Sequence, residues 1–143
     1  MSEVQVSLVP AEHAHALWPE LVGYVESAMD YAHGRYEADD ILNFVHEGTH
    51  TLWIAFAGDE ILGVVVTAFS MYPRKKYLHL VLCAGKESAR WKEPMLAVMR
   101  RWAVDNGCGG IEGSGRLGWA RAFSSENAKV LWQTFELPLG REG

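Results

Sequence analysis

Between Gly113 and Phe123 the chain reads GSGRLGWARAF, which places Arg116, Trp119 and Arg121 within six positions of one another. Two guanidinium groups flanking an indole suit a cleft wall or a partner contact, with arginine binding an anionic group and tryptophan offering a stacking face. The same residues suit packing. Trp119 and Phe123, at i and i+4 of a short helix, would form its buried face while the arginines cap or pair locally. Core is the preferred reading for the two aromatics, and the arginines stand evenly between the roles. Just before this stretch, Glu112 closes a short apolar run. A carboxylate there can serve as a base or pair with the arginines that follow, and the pairing has more behind it. His79 interrupts the apolar run YLHLVLCA, where an imidazole is more often a hydrogen-bonded core group than a proton-transfer group. The other histidines give no metal site. His46 and His50 are separated by Gly48, which breaks helical register, and no nearby cysteine or carboxylate completes a set with them or with His13 and His15. Arg74, Lys75 and Lys76, between Tyr72 and Tyr77, read first as a solubilising turn and second as a contact for nucleic acid or an acidic partner.

The elements that must hold these residues follow from periodicity. VQVSLV (Val4 to Val9) alternates and predicts a strand closed by Pro10. Leu17, Leu21, Tyr24, Val25 and Ala28 recur at helical spacing and predict a helix over about Ala14 to Ala32. A second helix runs from about Glu37 to His46, its first turn acidic and Gly48 just past its end. Thr51 to Ala57 and Ile61 to Met71 flank Gly58-Asp59-Glu60 as a hairpin. Tyr77 to Ala84 is apolar enough for a central strand buried on both faces. Trp91, Met95, Val98, Met99 and Trp102 form a helical stripe. Pro94 predicts that the regular helix begins near Glu93, after a loop or single turn from Ser88. Gly109 to Glu112 is a short strand, Arg116 to Ser124 a short helix and Val130 to Leu137 (VLWQTFEL) a final strand.

Composition sets the outer bounds. The 143 residues suit one domain with its own core. An apolar fraction of 49% with 22% charged residues is that of a soluble globular protein. A net charge of -5 argues against a general nucleic-acid binder. No apolar run approaches a membrane span, and no basic-then-apolar leader stands at the N-terminus, so a soluble, intracellular protein is expected. Cys83 and Cys108 read as reduced thiols.

The order β-α-α-β-β-β-α-β-α-β resembles the GNAT superfamily of acyl-CoA-dependent N-acyltransferases. The set GRY (Gly34 to Tyr36), LW (Leu52-Trp53), YPRKK (Tyr72 to Lys76), GC (Gly107-Cys108) and GRLGWAR (Gly115 to Arg121) is similar, more closely, to GNAT-like proteins of tailed phages and prophages. The resemblance implies an α/β (α+β) fold with a mixed, mainly antiparallel sheet, splayed between strands four and five and with helices on both faces. It also implies an acyl-CoA cofactor, acetyl-CoA or another, lying in the splay. Cys83, Ala84 and Gly85 would hold the pantetheine by their backbone, with Lys86 and Arg90 supplying charge to a diphosphate. The superfamily's loop carries Arg/Gln-x-x-Gly-x-Gly/Ala, whereas CAGKESARWKEP has only Gly85, so this stretch reads first as a solvated loop of alternating charges. Glu112 is the first choice of base for an amine substrate and His79 the second. Many superfamily members use a late tyrosine as acid, and no tyrosine follows Tyr77 here. Two functions follow. One is an N-acyltransferase of the host cytoplasm. The other is a catalytically silent virion or assembly component that binds phage structural proteins or forms a homo-oligomer.

Overall fold

The computed structural model describes residues 3–114 and 128–140. Alternating and β-branched segments form the strands β1 (Val4–Val9), β2 (Thr51–Ala57), β3 (Glu60–Met71), β4 (Lys76–Gly85) and β5 (Gly110–Gly113). They lie in one sheet in sequence order. Every neighbouring pair is antiparallel except β4 and β5, which run parallel. Helices α1 (Ala11–Met29) and α2 (Ala38–His46) cover one face and α3 (Ser88–Asp105) the other. This is the mixed sheet with two covered faces that the resemblance implies.

The two cores explain the alternation. Leu52, Ile54, Val64, Val66, Leu82 and Ala84 pack with Leu21, Val25, Ile41 and Val45 of α1 and α2. Trp53, Ala55, Leu62, Val65 and Leu78 pack with Trp91, Met95 and Met99 of α3. Gly63 belongs to the second core by what it lacks. A Cβ there would stand 2.5 Å from two atoms of the Trp91 indole. The Trp91 ring therefore rests against Gly63 of β3, and its Nε1–H donates to the Lys86 carbonyl at 2.9 Å, tying the β4–α3 connection to the core. Trp53 donates to Thr67 Oγ1 at 3.0 Å, which satisfies the one polar side chain among the fully buried described residues.

Four sequence expectations are corrected. The helix after β4 begins at Ser88, not near Glu93, and Pro94 lies inside it. Proline removes one i→i−4 hydrogen bond, but the apolar stripe of Trp91, Met95 and Met99 needs an unbroken helix to lie on the sheet, and that burial prevails. The strand buried over its whole middle is β3, from Leu62 to Thr67, whereas β4 is half-buried along much of its length. Val130 to Leu137 is no strand. Residues 128–139 pair with no edge among the described residues, and Val130, Leu131, Trp132, Phe135 and Leu137 are exposed. β-Composition without an edge to join does not make a strand. The basic turn is also less free than expected. Lys76 begins β4, donates to the Asn106 carbonyl at 2.8 Å and lies 4.4 Å above the Phe69 ring. The expected helix from Arg116 to Ser124, with Arg116, Trp119 and Arg121, lies outside the described residues.

Candidate functional site

The site is set by how little of β4 is paired to β5. Tyr77, Leu78, His79 and Leu80 pair with Gly110, Ile111, Glu112 and Gly113, and the pairing stops there. β4 continues to Gly85, so from Val81 onward no strand covers its β5-side edge among the described residues. A register shift marks the same point. Val66 faces Leu82 and Thr67 faces Leu80, which leaves Val81 as an extra residue. Such a bulge bends its strand and interrupts the ladder. Its effect on the faces is visible, because Leu80 packs toward α3 while Val81 and Leu82 both pack toward α1 and α2.

On the last full rungs before this splay, His79 and Glu112 are register partners. Leu78 and Leu80 point to the α3 core, so alternation puts His79 on the face of α1 and α2. Its Nδ1 lies 2.6 Å from Glu112 Oε2, with side-chain exposures of 24% for His79 and 13% for Glu112. The Tyr72 hydroxyl donates across both carboxylate oxygens, at 3.0 and 2.8 Å. Burial pushes the Glu112 carboxyl up, but hydrogen bonds from His79, Tyr72 and Ser70 together outweigh it and hold it below its usual value. The same carboxylate raises the Tyr72 phenol, which therefore stays protonated as a donor. Because an ionised carboxylate only accepts, the proton in the 2.6 Å contact belongs to Nδ1, and the Nε2 lone pair of a neutral His79 is left to accept.

His50 extends this row. Continuing the β2–β3 register one residue past Thr51↔Thr67 brings His50 beside Ala68, which in turn pairs with His79. The His50 ring stacks on Phe44 at 4.8 Å. Burial lowers its pKa, the Thr49 hydrogen bond opposes that, and the charge of His79 lowers it further. The two imidazoles thus lie on one face beside Ala68, with the Glu112 carboxylate on His79 and the Tyr72 phenol on that carboxylate.

Among the residues expected from the sequence, Glu112 and His79 meet, but through each other. The arginine partners foreseen for Glu112 lie outside the described residues. Cys83, Ala84 and Gly85 do lie on the uncovered edge of β4. Gly85 has φ 146°, and a Cβ there would overlap the Leu62 carbonyl oxygen. Lys86 and Arg90 are both in ion pairs, Lys86 with Glu60 at 2.5 Å and Arg90 with Glu87 at 3.2 Å. An acyl-CoA therefore fits this chain in part. Its pantetheine amides would find an unpaired edge on β4, whereas Lys86 and Arg90, the cations expected for its diphosphate, already hold carboxylates. Tyr72 was not singled out by the sequence. It follows the last β3–β4 rung, Met71↔Lys76, and only the placement of β5 beside β4 brings Glu112 within its reach.

Comparison with solved structures agrees with this topology. The chain is similar to a ribosomal-protein-alanine N-acetyltransferase from Brucella melitensis biovar Abortus 2308, with a TM-score of 0.69 at 13% identity over 96% of this chain and 99% of that one. An aminoglycoside acetyltransferase from an uncultured soil metagenomic sample, in complex with sisomicin, superposes with a TM-score of 0.67 at 10% identity, covering 95% of this chain and 96% of the other. A GNAT family acetyltransferase of Staphylococcus aureus gives 0.62 at 14% identity over 96% and 98%. No protein-family model matches the sequence, and neither does any curated protein. At such identities the likeness fixes the fold, which is that of the GNAT acetyltransferases.

Proposed function

We propose that the chain is an N-acyltransferase that moves an acyl group from a pantetheine thioester of the acyl-CoA type to an amine. The observation that carries this reading is the His79–Glu112 pair, sitting on the last rungs before β4 and β5 part. When bound, the thioester supplies an electrophilic carbonyl and a thiolate leaving group. The bare edge of β4 from Val81 to Gly85 would hold its arm in extended form. An amine reacts only after losing a proton, and His79 Nε2 is the group positioned to take it. Glu112 is too acidic a carboxyl to be a strong base, since its hydrogen bonds favour the anion. Its role in this reading is to fix the His79 tautomer and to stabilise the imidazolium that forms, with Tyr72 holding Glu112 in turn. This reverses the order of the two residues expected from the sequence. The neighbours named as a ribosomal-protein-alanine N-acetyltransferase and an aminoglycoside acetyltransferase suit an amine acceptor.

The finer likeness to phage and prophage proteins, with its silent virion role, is not adopted. It rests on short motifs, of which GRLGWAR lies outside the described residues, and a silent scaffold has no need of an oriented carboxylate–imidazole pair at the splay. The test is thiol release from acetyl-CoA and acetyl-pantetheine against a panel of primary amines, with His79→Gln alongside. Acceptor-dependent release that falls about 100-fold or more in the variant supports the reading, in line with general base catalysis. Release that is independent of amine and unchanged by the substitution counts against it.

A further inference from the structure

Lys86 is the first cation beyond the open edge of β4, and its position is built rather than incidental. Its N–H donates to the Leu62 carbonyl at 2.8 Å, and its own carbonyl receives the Trp91 indole. Glu60 opens β3 opposite Ala57, so the carboxylate that meets Lys86 also stands on paired backbone. The two residues are 26 apart in sequence and about half exposed, yet their side chains close to 2.5 Å. Next to them, Arg90 holds Glu87 at 3.2 Å and is close enough to act on Glu60. Two cations and two anions thus stand together where β4 passes into α3, and their charges cancel. A diphosphate needs cations and donors that are not already spent on carboxylates. An uncharged pantetheine arm needs only the β4 backbone.

On the premise that the site transfers acyl groups, we infer that Glu60 is a specificity-determining residue for the donor. Its carboxylate takes the position at Lys86 that a donor phosphate would fill, so the site selects the acyl-pantetheine arm and gains little from a nucleotide diphosphate.

Calorimetric titration with acetyl-pantetheine and acetyl-CoA, at low and high salt, tests this on the wild type, Glu60→Gln and the double variant Glu60→Gln/Lys86→Met. The wild type should bind the two donors within about threefold of each other, and the double variant should do the same, because the gain in Glu60→Gln comes from the ammonium it frees. Glu60→Gln should tighten acetyl-CoA about 5- to 10-fold, in a salt-sensitive manner, and leave acetyl-pantetheine unchanged. Acetyl-CoA binding about 100-fold more tightly than acetyl-pantetheine to the wild type would overturn the inference. So would a double variant that binds acetyl-CoA as tightly as Glu60→Gln does, or a Glu60→Gln variant indistinguishable from wild type. Binding of neither donor defeats the acyl-transfer reading itself and this inference with it, whereas any of the former results leaves that reading standing.

Discussion

Substituting Gly63 by alanine probes the contact that fixes the β4–α3 connection. The new Cβ would lie 2.5 Å from Trp91 Cε2 and Cζ2 and 3.0 Å from Cη2, about 1 Å inside a comfortable carbon–carbon separation. The ring cannot swing away freely, because it is 1% exposed and its Nε1–H holds the Lys86 carbonyl. Overpacking of this kind costs about 1–3 kcal/mol, and stretching the indole hydrogen bond adds about 1 kcal/mol, giving roughly 2–4 kcal/mol. With an unfolding entropy of about 2.1 cal/mol/K per residue over 143 residues, the melting temperature should fall by roughly 7–13 °C. Trp91→Phe removes Cζ2 and Cη2, two of the three atoms that the Cβ would strike. The double variant should therefore recover about 1–2 kcal/mol relative to the sum of the two single losses. Differential scanning calorimetry of all four proteins measures this. Losses that add within about 0.5 kcal/mol would refute the proposed clash.

Tyr72→Phe removes a hydrogen bond that lowers the Glu112 carboxyl, so that carboxyl should titrate higher in the variant, read by carboxyl carbon NMR; an unmoved titration would mean that Tyr72 does not hold Glu112 in solution. Burial lowers the His50 pKa in the folded chain, so the unfolded chain binds the extra proton first as pH falls. The stability from keeping His50 neutral is present above the ordinary imidazole value of 6.5 and is lost as pH drops through the lower folded value. Thermal melts from pH 7 to pH 5 should show a decline that is shallower in His50→Gln, and an identical slope in both proteins would contradict the assignment.

The elements that follow local periodicity were legible in the sequence. The 3.6-residue stripe of α1, the alternation in β1 and the turn between β2 and β3 needed no tertiary information, and the order of elements carried the fold. Pro94 misled because a local rule was set against a tertiary gain, the burial of Trp91 ahead of it. VLWQTFEL misled because strand composition says nothing about whether an edge is available. Glu112 and His79 stood out as chemistry-bearing types, yet their contact depends on β5 running parallel to β4, 33 residues away, and no local pattern encodes that. Lys86 presented the same difficulty. Its neighbours in sequence suggested alternating charge, but its partner is Glu60, at the start of the adjacent strand.

The central claim is that His79 and Glu112 act as one proton-accepting unit at the splay. Its most direct measurement is kcat/KM for acceptor-dependent thiol release in the wild type, His79→Gln, Glu112→Gln and the double variant. Residues that act as a unit are not additive, so the double variant should be no slower than His79→Gln alone, and Glu112→Gln should fall between that variant and the wild type. Losses that multiply, or a Glu112→Gln variant slower than His79→Gln, would contradict the claim.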